Sequence, residues 1–231
     1  MGSASPVYPV ALRVEGRRCL VVGGGRVAAR KSGGLLSCGA DVTLVAPVID
    51  PAIVEQAHGG GAGPGSLTVR RRPYRPGEAA GFRLVVTATG IAEVDRAVAA
   101  DADAAGVWVN SADDAEHCTF FLPSVHRDGP VSVAVSTGGA SPALATWLRR
   151  RIAAELGPDL GVLAALLESA RQRVKAAGRS TESVDWQALL NGPLPRLVRD
   201  GRLDRARELL EGPLPDLVPS AAVAGGPPCP G

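Results

Sequence analysis

No apolar run in this 231-residue sequence approaches the roughly 20 residues that a membrane-spanning helix needs. The start of the chain lacks a basic stretch followed by an apolar one, so no signal peptide is expected. Neither sign of charge is in excess: 25 Lys and Arg face 23 Asp and Glu, a formal net charge of +2. That argues against nucleic acid as the main partner. Cysteine is scarce and scattered. Cys19, Cys38, Cys118 and Cys229 form no C-x-x-C pair and no Cys/His spacing, which excludes a zinc-ligand pattern. Cys19 and Cys38 read as small hydrophobes in a reducing cytoplasm. Lysine is nearly absent: Lys31 and Lys175 are the only two, and every other basic side chain among the 25 is Arg. With abundant Ala, Gly and Pro, this reads as the codon usage of a GC-rich genome.

What is present is a pair of glycine-rich turns, each following an apolar run and opening a helix. The first follows an apolar run at 18–22, a buried parallel strand by its pattern. Gly23-x-Gly25-x-x-Ala28 then matches the G-x-G-x-x-A form of the dinucleotide fingerprint. Gly23 allows the tight turn, Gly25 lets backbone approach a pyrophosphate, and Ala28 keeps helix and strand close. A helix from Arg26 to Cys38 follows, stopped by Gly39; Gly33 and Gly34 inside it suggest close packing on the sheet or weaken the helix. Further strands are expected at Asp41–Val45, Leu67–Arg71, Arg83–Ala88 and Val107–Asn110. Helices are expected at Pro51–His58 and Ala92–Ala105, with a flexible loop at Gly59–Gly65. This alternation predicts a doubly wound α/β domain.

The alternation breaks after Asn110. Cys118–Leu122 and Val131–Ser136 read as two strands of an antiparallel hairpin turning at Asp128-Gly129-Pro130. Ser141–Lys175 reads as helical, capped by Ser141 and Pro142 and interrupted at Gly157-Pro158. Shorter helices are expected at Ser183–Leu190 and Leu203–Leu210. The Pro- and Gly-rich stretch from Gly212 onward reads as a disordered tail.

The chemistry converges on few residues. The second strand ends Val45-Ala46-Pro47 with no acid for a ribose, and Asp50 comes several residues late, so NAD and NADP are not separated here. Arg70, Arg71 and Arg72 suit a 2′-phosphate or a solvated strand end. Thr87-Ala88-Thr89 suits a cofactor edge or an ordinary strand-to-helix turn. Asp113, Asp114 and Glu116 read first as a solvated loop and second as a source of a general base or a metal-drawing carboxylate. Ser136-Thr137-Gly138-Gly139-Ala140-Ser141 offers backbone N–H groups for an anion, or simply caps a helix. Arg149, Arg150 and Arg151 add charge beyond it. His58, His117 and His126 read as loop histidines.

Together these stretches resemble the precorrin-2 dehydrogenase module of siroheme synthases. The resemblance is carried by Tyr8-Pro9-Val10, Val21 to Lys31, Gly39 to Thr43, Val45-Ala46-Pro47, Thr87-Ala88-Thr89, Asn110 with Asp113, Phe120 to Ser124, and Val133 to Pro142; it runs from about residue 6 to 175. It implies a Rossmann-like NAD-binding domain (1–112), a short β-containing dimerisation segment with the active-site loop (113–146), a helical domain (147–211) and a tail (212–231). It also implies NAD-dependent oxidation of precorrin-2 to sirohydrochlorin, ferrous iron insertion in some members, and a homodimer. The family's key aspartate falls on Asp113. Cofactor contacts fall on the Gly23-Gly24-Gly25 turn, Arg26, Val27 and Ala28, on Pro47 and Val48, and at the strand end with Thr87 and Thr89. Substrate contacts fall on Asn110, Thr137, Gly138, Gly139 and Ser141. No resident metal site is expected. A serine that is phosphorylated in some members is Thr137 here, and the chain is too short for the fused methyltransferase of others. A dehydrogenase without chelation, and a Rossmann module that senses NAD(H) without chemistry, are the alternative readings.

Overall fold

The computed structural model describes residues 7–60 and 63–215. They divide into two compact units, the first holding the described residues up to 123 with 136–142, and the second 124–135 with the described residues from 143 onward.

The first unit is built on five parallel strands: β1 (Arg18–Val22), β2 (Asp41–Val45), β3 (Ser66–Arg70), β4 (Leu84–Thr87) and β5 (Trp108–Ser111). Their order is β3-β2-β1-β4-β5. The chain runs outward from β1 to β3, then returns to start β4 on the other side of β1. A ligand crevice therefore falls at the carboxyl ends of β1 and β4. Helix α1 (Arg26–Leu36) links β1 to β2, α2 (Pro51–Glu55) follows β2, and α3 (Ala92–Ala104) links β4 to β5. Strand β1 is apolar at successive positions because both faces are covered. Cys19 and Val21 enter one core with Ala28, Leu36 and Ile53; Leu20 and Val22 enter the other with Val98, Ala99 and Ala102. Burying each such Val or Leu contributes about 1.5–3 kcal/mol. Burial, with a smaller push from Asp41, raises the Cys19 thiol to about 11, so it packs as an inert hydrophobe.

Several sequence expectations shift. Helix α1 stops at Leu36, with Ser37 as its C-cap and Gly39 at φ +78, and Cys38 lies exposed beyond it. A Cβ on Gly33 would sit 3.1 Å from Gln56 Nε2, so this glycine admits the neighbouring helical turn rather than the sheet. The helix expected to end at His58 gives way at Gln56 to a π-helical turn through Gly60, which occupies the start of the expected Gly59–Gly65 loop. Residues 61–62 of that loop lie outside the described residues.

The second unit opens with a hairpin, β6 (Ser124–Asp128) against β7 (Val131–Val135), turning through Gly129 at φ +54 and Pro130. The turn is the expected one, but the partner strand is not Cys118–Leu122. In that segment Thr119 N–H and Phe120 N–H both donate to Val109 O, at 2.9 and 3.4 Å, which ties it to the end of β5. Helix α4 (Pro142–Leu156) and α5 (Leu160–Ala176) break where expected. Helices α6 (Trp186–Asn191), α7 (Leu194–Arg199) and α8 (Leu203–Glu211) then close on α5 around Ala170, Val174, Leu189, Leu194, Val198, Ala206 and Leu210. The expected tail begins later than Gly212: Asp185 N–H donates to Pro215 O at 2.8 Å. Residues 216–231, where the rest of it falls, lie outside the described residues.

Candidate active site

The first glycine turn sits at the carboxyl end of β1. Gly23 N–H donates to Val45 O at 3.0 Å, and Asp50 N–H donates to Gly24 O at 2.7 Å, so the turn is tied to the end of β2 and the loop after it. The three glycines do different work. Gly23 has φ +128, and a Cβ there would lie 2.2 Å from Ala88 O; Gly24 carries a hypothetical Cβ 1.8 Å from Val48 O. Both are therefore steric requirements of the fold. Gly25 is extended, and a Cβ on it would meet nothing within 4 Å. It is the N-cap of α1, with no side-chain cap and no acid in the first turn. Exposed Arg26 and Val27 follow, and Ala28 is fully buried against the sheet. An open glycine face over uncapped helix N–H groups fits a dinucleotide pyrophosphate. Pro47 and Val48 lie exposed beside Gly24, and Asp50 turns away to accept from Ala52 N–H at 2.9 Å.

The fourth strand end is braced from within. Asp95 on α3 is buried and accepts from Thr87 Oγ1, from Thr89 N–H at 3.2 Å and from Thr89 Oγ1 at 2.8 Å. Thr87 is fully buried with its hydroxyl so committed, which leaves it no face for a cofactor. Thr89 is half-buried, and its hydroxyl is also taken up by Asp95 and by Ile91 N–H.

Two of the three arginines at the end of β3 are committed as well. Arg72 donates to both carboxylate oxygens of Glu78, and Arg70 lies 3.7 Å from the same carboxylate. This leaves exposed Arg71 as the uncommitted member of the three. The hydrogen bond from Arg72 holds the Glu78 carboxyl below its ordinary range, against a smaller upward push from burial. A carboxyl depressed in the folded state contributes stability that is present above the unfolded pKa of about 4.3 and lost as pH falls through the folded value. Glu78→Gln should therefore lower the urea midpoint at pH 7, and the difference from wild type should shrink as pH falls below about 4. A difference that persists unchanged at low pH would rule this bridge out as the source.

At β5 the side chain of Asn110 faces α1. Asn110 is buried; its Nδ2 donates to Phe120 O at 3.0 Å and its Oδ1 accepts from Lys31 Nζ at 3.0 Å. The amide is thus spent internally, with no end left for a substrate. Ala112 N–H donates to Thr87 O at 2.9 Å, extending the β4 pairing by one step, and Asp113 follows immediately. The two adjacent acids differ sharply. Asp114 accepts from Glu116 N–H at 3.2 Å and pairs with His117 Nδ1 at 2.8 Å, and that bond to His117 holds its carboxyl below the usual range. Asp113 is exposed and makes no hydrogen bond among the described residues. The half-buried Cys118 accepts from Ser111 N–H at 3.1 Å, and burial raises its thiol.

The second glycine turn is more closed than its sequence suggests. Thr137 Oγ1 accepts from Ser141 N–H at 2.9 Å and donates to Ser141 O at 3.1 Å. Gly138 N–H donates to Ser136 Oγ at 3.2 Å, and Ala140 N–H to Thr137 O at 3.0 Å. Three amides expected to receive an anion are therefore taken by the turn's own oxygens; the serine and threonine hydroxyls compete for them. Gly138 and Gly139 are left-handed, at φ +59 and +87, and Gly139 packs on the Phe121 ring. The other residues are unremarkable in this respect: Arg149 donates to Ser124 Oγ at 3.1 Å, Arg151 covers the Trp147 ring, and His58 bonds Val54 O. Among the described residues no three His, Cys, Asp or Glu side chains group to hold a metal ion, and no helix is long and apolar enough to cross a membrane.

An uncapped helix after a glycine turn, beside an unpaired carboxylate at the sheet's carboxyl edge, defines a Rossmann-like dinucleotide-binding protein with a candidate acid–base group. The family model described as "Putative NAD(P)-binding" matches residues 10–124, and one described as "Sirohaem biosynthesis protein central" matches 128–155. The siroheme synthase of Chromobacterium violaceum is 39% identical over 206 residues, covering 88% of this chain and 43% of that protein. That of Methylococcus capsulatus is 39% identical over 204 residues, covering 87% and 42%. A solved structure titled "SirC, precorrin-2 dehydrogenase" superposes with a TM-score of 0.64 at 26% identity, covering 89% of this chain and 98% of that one. The chain belongs to this siroheme synthase and precorrin-2 dehydrogenase family, and it spans about two-fifths of the length of the curated relatives it matches.

Proposed function

We propose that the chain catalyses the NAD-dependent dehydrogenation of precorrin-2 to sirohydrochlorin. The observation that carries this reading is the contrast between the two adjacent acids: Asp114 is consumed by its own loop, whereas Asp113 leaves the β5 edge with an unengaged carboxylate. The solved relative's title and the matched siroheme synthases support the choice of substrate. NAD, when bound, supplies the hydride acceptor. The N–H groups of Arg26, Val27 and Ala28 hold the pyrophosphate, with Pro47 and Val48 flanking it. Asp113 accepts the proton that leaves the macrocycle, so one hydride and one proton depart for each double bond formed. Commitment of Arg70 and Arg72 to Glu78 favours NAD over a cofactor with a 2′-phosphate. Thr87 and Asn110 act as braces, and with the Gly138 N–H taken by Ser136 Oγ, substrate contact in the second turn falls to Gly139. The reaction belongs in the cytoplasm. Precorrin-2 generated in situ with NAD should give NADH, followed by its absorbance. Absence of NADH with a folded protein that binds NAD would leave the sensing module.

The same free carboxylate suits a second step, in which Asp113 takes pyrrole N–H protons as ferrous iron enters sirohydrochlorin. Sirohydrochlorin with ferrous iron and no NAD should then give the siroheme spectrum faster than a protein-free control. A homodimer is proposed from α4. Its only buried residue is Ala145, while Leu144, Trp147 and Ile152 are 47%, 53% and 37% exposed. Such a surface calls for a partner. Trp147→Glu should convert a dimer to a monomer in sedimentation; an unchanged mass would place the contact elsewhere.

A further inference from the structure

Lys31 has no role in the reading above, yet its ammonium is a half-buried charge with no carboxylate against it among the described residues. It lies on α1, five residues past Arg26, and reaches the end of β5, where Nζ donates to Asn110 Oδ1 at 3.0 Å. The orientation of that amide is fixed, because Nδ2 donates to Phe120 O. Lys31 is half-buried, and among the described residues it pairs with no carboxylate. Two of its three N–H donors are left without a protein acceptor. Burial, and then the neighbouring Arg30, push the ammonium below the usual lysine range; Cys118 and Asp113 pull weakly the other way. A partly desolvated cation held by one neutral oxygen is unfavourable until an anion completes it. Composition also singles out this position. The chain uses Arg almost everywhere it needs a cation, and Lys31 is one of two exceptions. A compact ammonium fits beside one amide oxygen in a way that a planar, forked guanidinium does not.

We propose that Lys31 is a substrate-anchoring residue, whose ammonium, held on one side by Asn110, takes one carboxylate of the tetrapyrrole on the other. This deepens the proposed function and rests on its substrate being a polycarboxylate. Anchored there, the macrocycle lies at the same strand end from which Asp113 emerges. The anchor also joins the two halves of the site, because the helix whose first turn faces the cofactor carries the cation for the substrate.

Two variants separate charge from bracing. Lys31→Gln keeps a donor for Asn110 and loses the charge; Lys31→Arg keeps the charge. For each, NAD affinity is measured by calorimetry without tetrapyrrole, melting temperature by scanning fluorimetry, and sirohydrochlorin affinity by absorbance titration. The KM and kcat for precorrin-2 complete the set. Lys31→Gln should weaken sirohydrochlorin binding and raise KM by about ten- to a hundredfold, the range of a lost charge-assisted hydrogen bond. NAD affinity and melting temperature should stay near wild type, and kcat should fall less than KM rises. Lys31→Arg should lose less than Lys31→Gln. Wild-type sirohydrochlorin affinity in Lys31→Gln overturns the proposal. So does a parallel fall in NAD affinity, which would make Lys31 a cofactor residue, or an equal loss in both variants, which would make it a brace. If wild-type protein itself binds no sirohydrochlorin, the substrate reading fails, and this inference fails with it.

Discussion

Asp113→Asn is expected to lower the rate of NADH formation from precorrin-2 by about 10²- to 10⁴-fold, the usual contribution of a general base. The substitution is nearly isosteric and removes the negative charge and, with it, the ability to accept a proton. Asp113 accepts no hydrogen bond among the described residues and is exposed, so its loss costs the fold nothing that the structure holds together. Melting temperature and NAD affinity should therefore match wild type, and the fall should appear in kcat as well as in kcat/KM. Asp114→Asn is the matched control. Its carboxylate accepts from Glu116 N–H and pairs with His117, so its loss should loosen the loop and act on both rate and stability, with a smaller effect on rate. Normal turnover in Asp113→Asn would remove the residue from the mechanism. A larger loss in Asp114→Asn than in Asp113→Asn would mean that loop shape, and not proton transfer, limits the reaction.

Much of this site was legible in the sequence because its backbone is dictated locally. The apolar run at 18–22 and the stretch at 41–45 are the observed β1 and β2, since a short buried parallel strand ended by Gly or Pro leaves little choice of boundary. What the sequence concealed was commitment. Thr87, Asn110 and Thr137 look like ligand residues by type and place, and the structure spends each on a neighbour: Asp95, Phe120 with Lys31, and Ser141. Nothing in their local pattern reports partners 8 or 79 residues away. Strand β6 was missed for a related reason. Ser124-Val125-His126-Arg127-Asp128 is too polar to read as a strand, whereas the more apolar Cys118–Leu122 is captured by Val109 before it can pair. Helix α7 is hidden by Pro193 at its N-cap and Pro195 in its first turn, where proline is tolerated. Lys31 did leave a signal, its rarity, which a reading by codon usage explained away.

The glycine turn yields the other large effect, because its three members should fail in different ways. Gly24→Ala places a Cβ 1.8 Å from Val48 O and 2.9 Å from Ala46 Cβ. The obstacle is backbone, and Asp50 N–H fastens the 46–50 loop to Gly24 O, so the clash cannot be relieved by a rotamer. Gly23→Ala meets Ala88 O at 2.2 Å and must also hold φ near +128, a region L-residues avoid. Either change should destabilise the first unit by about 2–4 kcal/mol, the scale of forced overpacking with backbone strain, visible as a lower urea midpoint without any ligand. Gly25→Ala differs in kind. Its backbone is extended, nothing lies within 4 Å of the new methyl, and exchanging glycine for alanine at an N-cap costs under about 1 kcal/mol. The methyl instead occupies the face over the first-turn N–H groups, where a pyrophosphate would have to approach. Stability should thus stay near wild type while NAD affinity falls by about tenfold or more, a difference of at least 1.4 kcal/mol. Should Gly25→Ala bind NAD as tightly as wild type, the helix N-terminus would not be where the dinucleotide is held.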